Sequence, residues 1–112
     1  MTADDVEAGL AAGTLQLIDV RSADEYSGAT GYQCDAHQGH IEGAINIDVE
    51  AIAAALDPLA LLRANGVDPD GTITCYCHSG QRSARAAALL HAAGITQVTN
   101  YVGSWHEWCA RS

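Results

Sequence analysis

The sequence predicts an α/β domain: a mostly parallel central sheet of about five strands flanked by helices. Three observations carry that expectation. Short β-branched runs alternate with Ala- and Leu-rich helical windows along the chain, the pattern of parallel strands joined by helical crossovers. Capping residues or glycines bound most of the helical windows. Asp19 and Cys77, the two positions that best suggest chemistry, both fall at strand ends, where open parallel sheets build their sites.

The elements follow in order. Thr2 with Asp5 three positions later forms a capping box, opening a short helix that ends near Gly13. Leu15 to Val20 reads as a strand. Ser22 and Glu25 repeat the capping-box pattern and start a second short helix. Residues Ser27 to Gly39 are rich in Gly, Ser, Gln and Asp without periodicity, and predict an irregular loop that is long for so small a chain. Ala44 to Ile47 is a short strand, followed by a helix from Val49 to Leu56. Pro58 belongs in the first turn of a further helix closing at Asn65-Gly66. Asp68-Pro69-Asp70-Gly71 is a turn signal leading into the buried strand Thr72 to Tyr76. From Ser83 to Ala93 an uninterrupted Ala/Leu helix runs until Gly94 stops it. Val98 to Val102 is the last strand, and Ser104 caps a terminal helix carrying Trp105 and Trp108. No internal repeat is visible.

A chain of 112 residues suits one domain, 1–112. The composition, 48% hydrophobic and 17% charged, is that of an ordinary globular protein. Apolar runs such as Ala51 to Leu56 are far too short to span a bilayer. The acidic start, Met1-Thr2-Ala3-Asp4-Asp5, lacks the basic and apolar regions of a secretory signal, so a cytoplasmic location is expected. Fourteen acidic residues face five arginines and no lysine, giving a formal charge of −9. Such a surface repels nucleic acid and anionic membranes, and neither is expected as a partner. Arg82 and Arg85 nevertheless sit in or just after the segment that follows Cys77, where they would recruit a small anion. The four cysteines, Cys34, Cys75, Cys77 and Cys109, are read as free thiols because no secretory context supports disulfides.

Cys77-His78-Ser79-Gly80-Gln81-Arg82-Ser83 lies between a strand and a long helix. A cysteine at that strand end faces the free N–H groups of the helix N-terminus, which stabilise a thiolate and bind anions. Cys77 is therefore the candidate nucleophile. The amides from His78 to Ser83 can converge on the sulfur as a nest, Gly80 allows the tight turn, and Arg82 adds a full positive charge.

These residues resemble the rhodanese family of sulfurtransferases. The resemblance rests on Asp19-Val20-Arg21, on Gly39-His40-Ile41-Glu42-Gly43-Ala44-Ile45-Asn46, on the Cys77–Ser83 segment, and on Gly103-Ser104-Trp105-His106-Glu107-Trp108, in family order. The long loop before Gly39 and the Gly-Ser-Trp ending resemble the catalytic second domain of two-domain thiosulfate sulfurtransferases. The companion first domain is not part of this sequence, which leaves the open side of the site either exposed or shielded by a second subunit. The resemblance implies transfer of sulfane sulfur from thiosulfate or a similar small anionic donor, through a Cys77 persulfide, to a thiophilic acceptor: cyanide, a thiol or a carrier protein. It implies no cofactor. His78, Ser79, Gly80, Gln81, Arg82, Ser83 and Arg21 are then candidate substrate-binding residues, and Asp19, His40 and Trp105 shape the site. Phosphatases and arsenate reductases of related fold place their arginine six positions after the cysteine. Arg82 comes five after Cys77, and the shorter loop favours a single sulfur atom over a phosphate. A non-catalytic rhodanese module is the other alternative.

Plainer roles compete at several positions. Cys75 lies two residues before Cys77 on the same strand face, about 6.5–7 Å away between Cα atoms, too far for a comfortable disulfide, and is read as core. Cys34, His37 and His40, with Cys109 and His106, have spacing that could offer metal ligands, but no second paired motif completes a set of four, and no metal is expected. Asp19 is expected to bond neighbouring backbone amides. Arg21 divides evenly between a pair with Glu25 and donor contact.

Overall fold

The computed structural model describes residues 1–111. Its sheet contains β1 (Gln16–Asp19), β2 (Ile45–Asn46), β3 (Ile73–Tyr76) and β4 (Val98–Asn100), all parallel, in the order β2-β1-β3-β4. The described residues hold four strands where about five were expected, one for each strand signal in the chain, and the parallel α/β class is as expected. Among the described residues six helices accompany them: α1 (Ala3–Ala12) before the first strand, α2 (Ala23–Ser27), α3 (Val49–Ala54), α4 (Pro58–Ala64) and α5 (Gln81–Ala92) between strands, and α6 (Ser104–Ala110) after the last.

Strand alternation builds two cores. Ile18, Ile73 and Cys75 face a cluster with Ile52 of α3, Leu62 of α4 and Ala86 and Leu90 of α5. Leu17 and Tyr76 face the opposite side, against Val6 of α1 and Trp105 and Cys109 of α6. Each side chain goes where the period-2 pleat sends it. The two buried faces explain why the strands read as nearly continuous apolar runs.

Helix ends follow local chemistry. Both capping boxes form: Thr2 exchanges hydrogen bonds with Asp5, and Ser22 with Glu25. α3 is shorter than expected, ending at Ala54, and Leu56 is left wholly exposed in the connection to α4. Ser104 does not cap α6. It is the first residue of that helix, holds a left-handed φ of 55°, and is buried. Among the described residues, no helix is long and apolar enough to cross a membrane.

Candidate active site

The chemistry gathers at the carboxyl ends of β1 and β3. Cys77 directly follows β3 and is 1% exposed. α5 begins at Gln81, two residues before the expected start, so Arg82 and Ser83 belong to its first turn and the true loop is 77–80. Gly80 precedes the helix at φ +96°, and no side-chain oxygen caps it. The sulfur of Cys77 stands in that place. The Gly80 N–H donates to Sγ at 3.1 Å, and Ser83 Oγ lies 3.3 Å from it. A Cβ on residue 80 would come within 2.9 Å of the Val102 carbonyl oxygen, so space and backbone conformation both demand glycine.

The loop presents its amides to the sulfur because its carbonyls are held elsewhere. The N–H groups of Trp105 and His106, in the first turn of α6, donate to the Cys77 and His78 carbonyls at 2.9 and 3.1 Å. Asn100 Nδ2, at the end of β4, donates to the Gly80 carbonyl at 3.0 Å. Ser104 Oγ accepts the Cys77 N–H at 3.1 Å and donates to the Tyr101 carbonyl at 2.8 Å. A left-handed serine costs about 1–2 kcal/mol, and this double bridge is what the strain secures.

Burial works against a Cys77 thiolate. Hydrogen bonds from the Ser83 side chain and from the amides of Ser83, Ser79 and Gly80 outweigh it and hold the thiol below its ordinary value. Cys75 has no such cradle. Burial, with the neighbouring Cys77 charge, pushes it up to about 12, and it behaves as core.

Arg82 corrects the sequence expectation. Its guanidinium forms a two-bond pair with Glu25 of α2, at 2.7 and 3.0 Å, so its charge is shared with a carboxylate rather than given to the sulfur alone. The Arg82 bond, working against burial, lowers the Glu25 carboxyl to about 2. Arg21 corrects it too. It is 1% exposed, paired with Asp19 at 2.7 Å rather than with Glu25, and donates to the Gly39 carbonyl at 2.6 Å. Its guanidinium lies over the Trp105 and Tyr76 rings, 5.3 and 5.7 Å from their centroids. No face is left for a donor, so Arg21 ties the long loop to the sheet. Asp19 accepts the Arg21 N–H and also the Tyr76 hydroxyl at 2.7 Å.

The remaining candidates divide between site and surroundings. Ser79 and Gln81 are exposed at the loop. His40 stacks on Tyr26 at 3.7 Å and contacts its carbonyl, fixing the loop end. Trp105 donates its indole N–H to the His37 carbonyl. His78 stacks on Tyr32 at 3.9 Å and donates to Asp35 Oδ1 at 2.9 Å, an oxygen that His106 Nδ1 approaches at 2.8 Å. A cavity of about 230 Å³ lined by Ser22, Glu25, Thr30, Gly31 and Tyr32 abuts the cysteine loop through the Glu25–Arg82 and Tyr32–His78 contacts.

Sequence reasoning missed Glu25, Asn100 and Asp35 as parts of this region. Glu25 gave a capping signal and a helical spacing to Arg21, but its actual ion-pair partner, Arg82, lies 57 residues away. Asn100 hid in a strand end. Asp35 sat in a loop whose path no local rule sets.

The chain matches the model of the Rhodanese-like domain over residues 2–111. It is 42% identical over 118 residues to a provisionally named thiosulfate sulfurtransferase of Haloferax volcanii, covering 94% of this chain and 41% of that protein. It is 32% identical to a human thiosulfate:glutathione sulfurtransferase, covering 88% of this chain and 83% of that one. The structure of the human single-domain sulfurtransferase TSTD1 superimposes with a TM-score of 0.76 at 26% identity, covering 100% of this chain and 96% of the other. Relatives such as the Haloferax protein are longer, and this chain spans about two fifths of their length.

Proposed function

The chain belongs to the rhodanese family, and from that premise we propose that it transfers sulfane sulfur from thiosulfate or a similar small anion to a thiophilic acceptor through a persulfide on Cys77. The observation that carries this reading is the cradle of amides and hydroxyl around Sγ. The Cys77 thiolate attacks the outer sulfur of thiosulfate. The sulfur–sulfur bond of the donor breaks, and sulfite leaves with the bonding pair. Cys77 retains the sulfur as an anionic persulfide, held by the same N–H groups that held the thiolate. Cyanide, a thiolate or a carrier protein's thiolate then attacks the outer persulfide sulfur, and Cys77 returns as the thiolate. Every electron pair is accounted for without an oxidant or reductant.

The donor's approach is read from the exposed residues of the cysteine segment. Ser79 and Gln81 are exposed beside the loop, and Arg82 retains about one third of its side-chain surface while bound to Glu25. Its free guanidinium edge is the group that meets the sulfonate end. A loop that closes on one atom rather than on a tetrahedral phosphate favours sulfur transfer over phosphate hydrolysis.

Intact mass before and after brief thiosulfate treatment tests the reading. The wild type gains one sulfur atom, Cys77→Ser gains none, and turnover to cyanide falls roughly 10⁴-fold or more in the variant, as for other nucleophile deletions. No gain in the wild type, or an equal gain in the variant, overturns it.

A further inference from the structure

Beyond the persulfide site, one cluster of metal-ligating side chains has no role in the sulfur relay. Cys34 Sγ, a carboxylate oxygen of Asp35 and ring nitrogens of His78 and His106 all lie within 4.8 Å of one another. They come from three segments: the long loop, the residue after Cys77, and the first turn of α6. Local sequence could not assemble this set. Of the residues whose spacing suggested ligands, Cys34 and His106 belong to it. His37, His40 and Cys109 do not.

The cluster turns on Asp35. Its side chain is 1% exposed, yet it belongs to a polar loop. Oδ1 receives both imidazoles, at 2.9 and 2.8 Å, with Cys34 Sγ 3.9 Å away. Oδ2 is buried and has no hydrogen-bond partner among the described residues. Buried carboxylate oxygens are almost always satisfied, and one that is not points to an ion or a water. The His78 ring is pre-set by stacking on Tyr32, and the backbone N–H of His106 donates to the His78 carbonyl at 3.1 Å, which brings the two residues together.

We propose that Cys34, Asp35, His78 and His106 form a four-ligand site for a divalent transition metal, Zn²⁺ by its donor set, which clips the long loop across the mouth of the Cys77 site. One thiolate, two imidazoles and one carboxylate are ligands that Zn²⁺ takes in tetrahedral geometry. Tetrahedral bonds of about 2.0–2.3 Å place ligand atoms somewhat over 3 Å apart, so the two imidazole–carboxylate contacts open slightly and the widest pair draws in. Binding releases the Cys34 thiol proton to solvent and turns each ring to the tautomer whose lone pair faces the metal. No electron moves. With one thiolate and one carboxylate the Zn²⁺ site is neutral overall, so binding cancels the Asp35 charge at a mouth where Arg82 is already paired with Glu25.

The test is titration of chelator-stripped full chain with Co²⁺ alone and with Zn²⁺ alone. Co²⁺ should give the d–d bands of a tetrahedral site and a thiolate-to-cobalt charge-transfer band, saturating at one equivalent, and Zn²⁺ should bleach both. Cys34→Ser should remove the charge-transfer band. Cys34→Ser and His106→Gln should each weaken Zn²⁺ beyond the roughly 10–100-fold that loss of a supporting partner costs. Cys77→Ser should bind as the wild type does. The proposal is overturned if Co²⁺ remains octahedral, if no metal survives desalting, or if binding is lost with Cys77 and indifferent to Cys34. Because Cys34 and His106 are exposed, their variants should fold. Should one fail, protection of wild-type Cys34 from alkylation by Zn²⁺, read at its own peptide, decides the question. Persulfide formation is a separate readout, so failure of the metal site and failure of the sulfur relay are distinguishable.

Discussion

At Cys77 the balance between burial and hydrogen bonding sets reactivity. Two thiols sit two residues apart on one sheet face, both buried, yet one is lowered and the other raised. The difference is the cradle, whose largest favourable member is the Ser83 hydroxyl. Ser83→Ala removes that hydrogen bond and leaves the amides. Alkylation of Cys77 by iodoacetamide, followed at its own peptide, should then rise at a higher pH than in the wild type, because more hydroxide is needed to form the thiolate. An unchanged profile would mean that the amides alone suffice. Arg21 illustrates the opposite lesson, a charge that serves structure. Arg21→Leu strands the Asp19 carboxylate in the core, and losing one partner of a buried pair costs about 3–5 kcal/mol. Urea denaturation should show that loss. Wild-type stability with a raised KM for thiosulfate would instead restore a donor-contact role.

At the scale of elements, α2 shows how a short helix gains a purpose. Five residues are marginal alone, and α2 is fixed by its Ser22–Glu25 capping box and by the Glu25–Arg82 pair to the first turn of α5. Since the Glu25 carboxyl is held below its ordinary 4.5, at about 2, the pair stabilises the fold fully above pH 4.5. That contribution fades as the pH falls towards about 2. Solvent reaching Arg82 limits it to about 1–2 kcal/mol. Glu25→Gln should therefore be less stable at neutral pH and lose less on acidification, measured by urea denaturation across a pH series. Both helices bounded by capping boxes were legible in sequence, because their signals lie within four residues. α3 ended early and Ser104 failed to cap because packing, not local preference, decides those ends. α5 began at Gln81 because a sulfur, rather than a Ser or Asp oxygen, occupies its cap.

The whole molecule carries a formal charge of −9. Arg82, the cation nearest the proposed donor path, is neutralised by Glu25, so the local field does not reverse the global one. A dianion approaching this surface is repelled, and salt screens that repulsion once the Debye length falls to about 8–10 Å. The second-order rate of persulfide formation from thiosulfate should accordingly rise with ionic strength in metal-free protein. A fall would show that a local cationic field dominates.

The sequence alone determined the parallel α/β architecture and the strand ends that carry Asp19 and Cys77, and it singled out Cys77 as the candidate nucleophile. Those follow from pleat periodicity, caps and a cysteine before a helix, all local properties. Tertiary structure decided which charges face the sulfur. Arg82 met Glu25, Arg21 met Asp19 and Gly39, and Asp35 came between His78 and His106. Several of those contacts join residues far apart in the chain, and a long polar loop has no periodicity to announce where it will fold. Electrostatic partners are chosen by proximity after the core has packed, so they are the part of a site that one-dimensional patterns do not contain.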